Sequence, residues 1–418
     1  MTMQRRDFLV RASAVLGAAT SARTAAASPP ASAKPGVAET DVSLSTWAAV
    51  RDQFSLSRDH IHMAMLLFAS HPKPVRDAIE QHRRGFDANP VLYLHENMER
   101  CEREARAAAA SYVGGAADEI ALTGNTTTGL ALLYGGLPLR KDQEILTTTH
   151  DHYVTHESLR LRALHTGAAV RKIPLYAVPE KASEDEIVGN LVKAVRPHTR
   201  AVAVTWVHSS TGVKLPIRKM SDALGDLNRR RDADDRVLLC VDGVHAFGVE
   251  RETVGDLGCD FLVAGCHKWI FGPRGTGIVW GRAEAWKGNA GIIPCFDWGA
   301  LKAWMRGEPP DAVPAGPRTS PGGFSPTITA GPCTRRSVFT SASVGRASPP
   351  ASTSWPSAAR TAWRSCPRSS CARRARRPSP PASCASRSRA SRPKRSSSVC
   401  WRARSWRATR PTLRRTRA

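Results

Sequence analysis

Residues 237–281 read VLLCVDGVHAFGVERETVGDLGCDFLVAGCHKWIFGPRGTGIVWG, and three apolar runs within them, 237–242, 261–265 and 277–281, decide the fold. Each run is short, lacks polar alternation, and is cut off by glycine or a charged residue, the pattern of a strand buried on both faces. Working back along the chain, EIALT (119–123), EILTTT (144–149), VRKIPLY (170–176) and AVAVTWV (201–207) repeat the pattern. Helical segments separate most of these runs. Val75, Ala78, Ile79 and His82 keep helical spacing after Pro74, and residues 98–112 form a second helix stopped by Gly114-Gly115. Apolar strands alternating with helices predict an α/β domain with a mostly parallel sheet covered on both faces. In such a sheet chemistry gathers at the carboxyl ends of the strands.

The polar residues stand at those ends. Asp242 closes 237–242 with His245 three residues on, and an aspartate there is either a loop cap or a buried charge with a task. Lys268 follows 261–265, between His267 and Trp269, and a lysine is costly to bury unless it is paired or used. After 119–123 comes Gly124-Asn125-Thr126-Thr127-Thr128-Gly129 and then an apolar helix. Free amides, hydroxyls and the helix dipole make such a turn an anion cup, or else it is a plain helix cap. No GKT or GKS follows, which excludes a nucleotide P-loop, and GPRGTG at 272–277 precedes a strand, where it reads as a turn. A phosphate cup, an Asp and a Lys at neighbouring strand ends are together the parts that hold pyridoxal phosphate. His150, His152 and His156 also admit a zinc reading, but with a strand end beneath them no metal centre is expected.

On VDGVHAFG (241–248) and DFLVAGCHKWIFGPRGTGIVWGR (260–282) the chain resembles the class V aminotransferase superfamily of pyridoxal-phosphate enzymes, most of all its isopenicillin N epimerase-like branch. The resemblance covers about 46–324 and implies the large domain of a fold type I enzyme. It implies Lys268 as the Schiff-base lysine, Asp242 as partner of the pyridine nitrogen, and His245 near the phenolic oxygen. Thr126, Thr127 and His267 would hold the phosphate, and His152 would stack on the ring, with Tyr153 the second choice. Ser210 falls where many relatives carry Asn beside the cofactor. A homodimer is implied, with Thr319 reaching a neighbour's phosphate site. The implied substrate is a small amino-acid-like molecule, and epimerisation and transamination both stay open. Cysteine desulfurases share the fold, but their nucleophilic cysteine lies well after the lysine, and Cys259, Cys266 and Cys295 stand too close to Lys268 to match it.

Charge divides the chain. It has 418 residues with 61 Lys and Arg against 36 Asp and Glu, yet 22 of the basic side chains lie in 325–418, which has no acidic residue. The other 39 nearly balance the 36 acids, so no nucleic-acid binding is expected of residues 1–324. Residues 325–418 are Arg, Ser, Pro and Ala with almost nothing apolar to build a core, where the resemblance calls for a small α/β domain. They read as a disordered, out-of-frame product of a GC-rich gene, which leaves a catalytically silent chain as one alternative and a genuine basic arm for nucleic acid as another. At the other end, MQRRDFLVRASAVLGAATSARTAAASPP (3–30) pairs Arg5-Arg6 with a short apolar stretch and small residues, and resembles a twin-arginine export signal over 1–27. A Pro/Ala/Ser linker follows over 28–45. The expected partner is the export machinery for folded proteins and the expected destination the periplasm or the medium. No run of 18 apolar residues occurs, so no stable membrane anchor is expected. The ten cysteines include no CxxC pair, and Cys240, Cys259 and Cys266 read as free thiols in apolar runs.

Overall fold

The seven apolar runs become seven strands of one sheet: β1 Ile120–Thr123, β2 Glu144–Thr148, β3 Ala169–Ile173, β4 Thr199–Thr205, β5 Leu238–Asp242, β6 Phe261–Gly265 and β7 Gly277–Gly281. Their order across the sheet is β1-β7-β6-β5-β4-β2-β3. β3, β2, β4, β5 and β6 run parallel, and β7 pairs antiparallel with both β6 and β1. A computed structural model of the chain describes residues 46–309 and 312–323. The expected export signal, the linker and the stretch from 324 onward lie outside them.

Eleven helices are described: α1 Trp47–Asp52, α2 Lys73–Ala88, α3 Pro90–Val113, α4 Thr126–Gly136, α5 Tyr153–Thr166, α6 Glu184–Ala194, α7 Ile217–Asn228, α8 Val254–Leu257, α9 Ala283–Lys287, α10 Trp298–Arg306 and α11 Ala315–Thr319. One sheet face, with Ile120, Leu122, Leu146, Val202, Val204, Leu239 and Val241, packs on α3, α6, α7 and α8. The alternate strand residues Ala121, Ile145, Ala203, Cys240 and Val263 face α4, α5 and α9. Burial of both faces is what makes β4, β5 and β6 continuously apolar.

The element boundaries differ from the sequence expectation where polar caps, not apolar spacing, set them. α3 begins at Pro90 rather than 98, because Asn89 accepts from the Leu92 amide and Pro90 suits the first helical position. It ends at Gly114, in the left-handed region at φ 79°, as expected of a C-terminal glycine. The third strand stops at Ile173, and Leu175 and Tyr176 turn into the core beyond it. The helix expected after Pro74 is α2, which starts on the proline-containing turn. Cys101, Cys240, Cys259 and Cys266 are buried, and Cys295 is half-buried.

Candidate active site

Five strand ends converge on a cavity of about 300 Å³, lined by Asn125, Thr126 and Thr127 after β1, His152 after β2, Thr205 and Ser209 at β4, Asp242, Val244 and His245 at β5, and His267 and Lys268 after β6. Leu66 and Leu67, both exposed, also line it. A larger open groove of about 780 Å³ sets Arg218, Arg229, Arg236 and Arg282 among Asp222, Asp226 and Asp260, so its charges largely compensate one another. The smaller cavity is where uncompensated polar groups meet.

The turn after β1 caps α4 and lines the cavity. Asn125 Oδ1 accepts from the Thr128 amide at 2.9 Å, which is ordinary capping. The Thr126 hydroxyl is buried with no hydrogen-bond partner among the described residues, and α4 starts at that residue, beside the cavity. Gly265 holds that space open: a Cβ there would lie 2.8 Å from both Thr126 Oγ1 and His267 Cε1. An anion placed here would receive the orphaned hydroxyl and the helix amides.

Lys268 sits in a turn that closes at Phe271, a non-glycine residue in the left-handed region at φ 54°. The Phe271 amide donates to the Lys268 carbonyl at 2.9 Å, and the Gly272 amide to the Cys266 carbonyl at 2.7 Å. Burial lowers the Lys268 pKa, and Asp242 only partly restores it. His245 explains where the proton goes. The Trp269 indole N–H donates to His245 Nδ1 at 3.4 Å, which leaves the ring proton on Nε2, 3.2 Å from Lys268 Nζ. A donor facing that nitrogen is satisfied by a neutral amine and not by an ammonium. Burial and then Lys268 push the His245 pKa down to about 4, so the ring stays neutral.

Burial raises the Asp242 carboxyl to about 6, with the Val244 amide and Lys268 opposing and Asp151 reinforcing the rise. Its Oδ1 accepts from the Val244 amide at 3.0 Å. His152 caps α5, its Nδ1 accepting from the Val154 amide at 3.2 Å, and burial and then Lys268 lower its pKa. His267 is lowered for the same two reasons. Burial and Lys268 thus disfavour the charged form of all three imidazoles that share the cavity with Lys268.

Of the sequence-predicted site residues, Thr126, Thr127, His152, Asp242, His245, His267 and Lys268 line one cavity. Ser210 does not. The chain turns back at Gly212, φ 73°, whose amide donates to the His208 carbonyl at 2.8 Å, and this turn sets Ser209 rather than Ser210 against the cavity. Thr319 also lies elsewhere: it is buried in α11, its hydroxyl donating to the Ala315 carbonyl at 2.8 Å. Tyr153 is exposed and does not line the cavity. His150, His152 and His156 do not converge, because His150 stacks on Tyr176 at 3.9 Å while His156 Nε2 donates to the Thr148 carbonyl at 2.8 Å. Sequence reading missed Leu66 and Leu67, whose apolar run gives no sign of lying over strand ends, and Thr205 and Ser209, which look like ordinary strand and turn residues.

The donor set fits pyridoxal phosphate. Thr126, Thr127, His267 and the α4 amides suit its phosphate, Lys268 its aldehyde, Asp242 its ring nitrogen and His152 its ring face. Comparison with known proteins bears on the same chemistry. The profile described as "Aminotransferase class-V" matches residues 69–291. The chain is similar to a probable cysteine desulfurase of Methanothermobacter thermautotrophicus, 28% identical over 237 residues that cover 55% of each protein. It is likewise similar to the isopenicillin N epimerase of Amycolatopsis lactamdurans, 29% identical over 235 residues and 56% of each. The chain therefore spans about half the length of these curated relatives. Among solved structures, a mutant of C-DES with glycine covalently linked to the PLP cofactor shares the fold with a TM-score of 0.61 at 20% identity, over 71% of this chain and 74% of that one.

Proposed function

We propose that this chain, which belongs to the aminotransferase class-V family, is a pyridoxal-phosphate enzyme acting at the α-carbon of an amino-acid-like substrate. The observation that carries the reading is Lys268: a half-buried lysine with a depressed pKa, facing a neutral His245 donor and sharing its cavity with buried Asp242. When bound, the cofactor supplies an aldehyde that takes amines covalently and a ring that withdraws electrons from the α-carbon.

The chain's own residues divide the remaining work. The α4 amides, Thr126, Thr127 and His267 bind the phosphate. Asp242 holds a proton at the pyridine nitrogen, which its depth in the sheet shields from water. His152 orients the ring, and Leu66 and Leu67 exclude water from the cavity they line. Lys268, its pKa lowered by burial, would accept the α-proton at Nζ, and His245 Nε2, 3.2 Å away, would orient that nitrogen.

Within the family, the epimerase-like reading is preferred because residues 241–248 and 260–282 resemble that branch most. The reading extends to export through the Arg5-Arg6 signal and to a homodimer, and it takes the acid-free stretch after 324 as out-of-phase translation, which resequencing the gene near that codon would check. The central test incubates the full chain with pyridoxal phosphate, reduces with borohydride and maps the peptides. Label on Lys268 is expected. Label on Lys214 or Lys302, or none, would overturn the assignment.

A further inference from the structure

One buried carboxylate has no part in the chemistry above. Asp151 stands between the ends of β2 and β4, one residue before His152, with its side chain closed to solvent. Its Oδ2 accepts from the Thr148 amide at 2.7 Å and the Thr147 hydroxyl at 2.9 Å, and its Oδ1 accepts from the Thr205 amide at 2.6 Å. Thr205 ends β4, lies opposite Asp242 in the sheet register and lines the cavity. One carboxylate therefore joins the turn carrying His152 to the strand beside Asp242.

A row of buried polar groups backs it. His208 Nε2 lies 3.7 Å from Asp151 Oδ1 and has no other partner, and Nδ1 is bonded to the Tyr176 hydroxyl at 2.9 Å. Tyr176 also meets Thr211 Oγ1 at 2.8 Å, and His150 covers its ring, nearly parallel at 7°. With the His208 proton on Nε2, Nδ1 accepts from Tyr176 and Tyr176 accepts from Thr211, so the protons all point one way, toward Asp151. Burial pushes the Asp151 carboxyl up, but His208 and the Thr148 donors outweigh it and hold the group below its ordinary value.

The site calls for a carboxylate in particular. Its two oxygens each face a backbone amide, on opposite sides, and neither amide is free to turn away. An asparagine would set its NH2 against one of them and leave a buried donor unpaired.

We propose that Asp151 is a positioning residue: its carboxylate clasps the ends of β2 and β4 and so fixes His152 relative to Asp242. The clasp rests on the pyridoxal-phosphate reading only for what His152 touches. The test uses the full chain with Asp151→Asn, His152→Ala and the double variant. Without cofactor, the rate at which diethyl pyrocarbonate modifies His152 is mapped by peptide, with the exposed His60 and His95 as internal references. Loosening the turn should change the His152 rate by roughly threefold or more while the references hold. With pyridoxal phosphate, Asp151→Asn should weaken binding roughly tenfold in the native background and little in the His152→Ala background, the non-additivity expected when one residue acts through the other. An unchanged His152 rate, or additive losses in affinity, would overturn the proposal. A changed rate in a chain that binds no pyridoxal phosphate would uphold the clasp and sink the cofactor reading instead. If Asp151→Asn does not fold, Thr147→Val removes a single donor to Oδ2 and carries the same two readouts, with no effect on either counting against the clasp.

Discussion

Asp242→Asn should make the cofactor-free protein more stable while disabling it. The carboxyl is buried and its pKa stands at about 6 against an ordinary 3.8. That rise corresponds to about 3 kcal/mol, the cost the fold carries for an ionised carboxylate at this depth. Because the folded-state value is the higher one, Asp242 is fully accommodated below pH 3.8, and its contribution is lost as the pH rises through about 6. Asparagine keeps an oxygen for the Val244 amide, now bonded at 3.0 Å, and removes the charge. Urea unfolding of the cofactor-free full chain should therefore show the variant ahead by about 3 kcal/mol at pH 8, with the gap closing as the pH falls from 6 to 4. Adding pyridoxal phosphate should reverse the order, since a ligand that needs the carboxylate stabilises only the protein that has it. A gap independent of pH, or a variant less stable than the native chain at pH 8, would refute the reasoning. Stability given up at a functional carboxylate is a common trade.

Two further outcomes follow from the cup and the core. Gly265→Ala would put a methyl 2.8 Å from Thr126 Oγ1 and His267 Cε1, so the affinity for pyridoxal phosphate, read by absorbance titration, should fall about tenfold, or about 1.4 kcal/mol. An unaffected affinity would remove that space from the phosphate site. Tyr134→Phe deletes a fully buried hydroxyl that has no hydrogen-bond partner among the described residues, so denaturant unfolding should find the variant neutral or up to about 1 kcal/mol more stable. A loss of more than that would reveal a partner for the hydroxyl, such as a bound water.

Much of the site was legible because its residues follow strands directly. Burial on both sheet faces writes β4, β5 and β6 as apolar runs, so the polar residue that ends each run, or comes just after it, announces a strand end. Asp242, His245, His267 and Lys268 were read in that way, and Thr126 and Thr127 from the Gly/Asn/Thr turn before an apolar helix, and all six line one cavity. The choice between cap and cup at Asn125–Thr128 was not open to sequence reading. It turned on whether the Thr126 hydroxyl found a partner, which depends on Gly265 from a strand far along the chain. Ser209 and not Ser210 lines the cavity, because the backbone turn at Gly212, not the order of side chains, decides which serine faces inward.

The sequence by itself determined the seven strands, the α/β layering and the residues at the strand ends, because strand burial and local turns are encoded over a few neighbouring positions. It left the strand order open, and it said nothing of β7 running against its neighbours, since an apolar strand has the same period in either direction. Asp151 shows most clearly what only the tertiary structure decided. In THDHYVTHES it is one polar residue among several, and its role exists only where β2 and β4, more than fifty residues apart, bring the Thr148 and Thr205 amides to opposite sides of one carboxylate out of reach of water. Hydrogen bonds made across that distance, in a site too dry to leave a donor unpaired, have no periodicity to read.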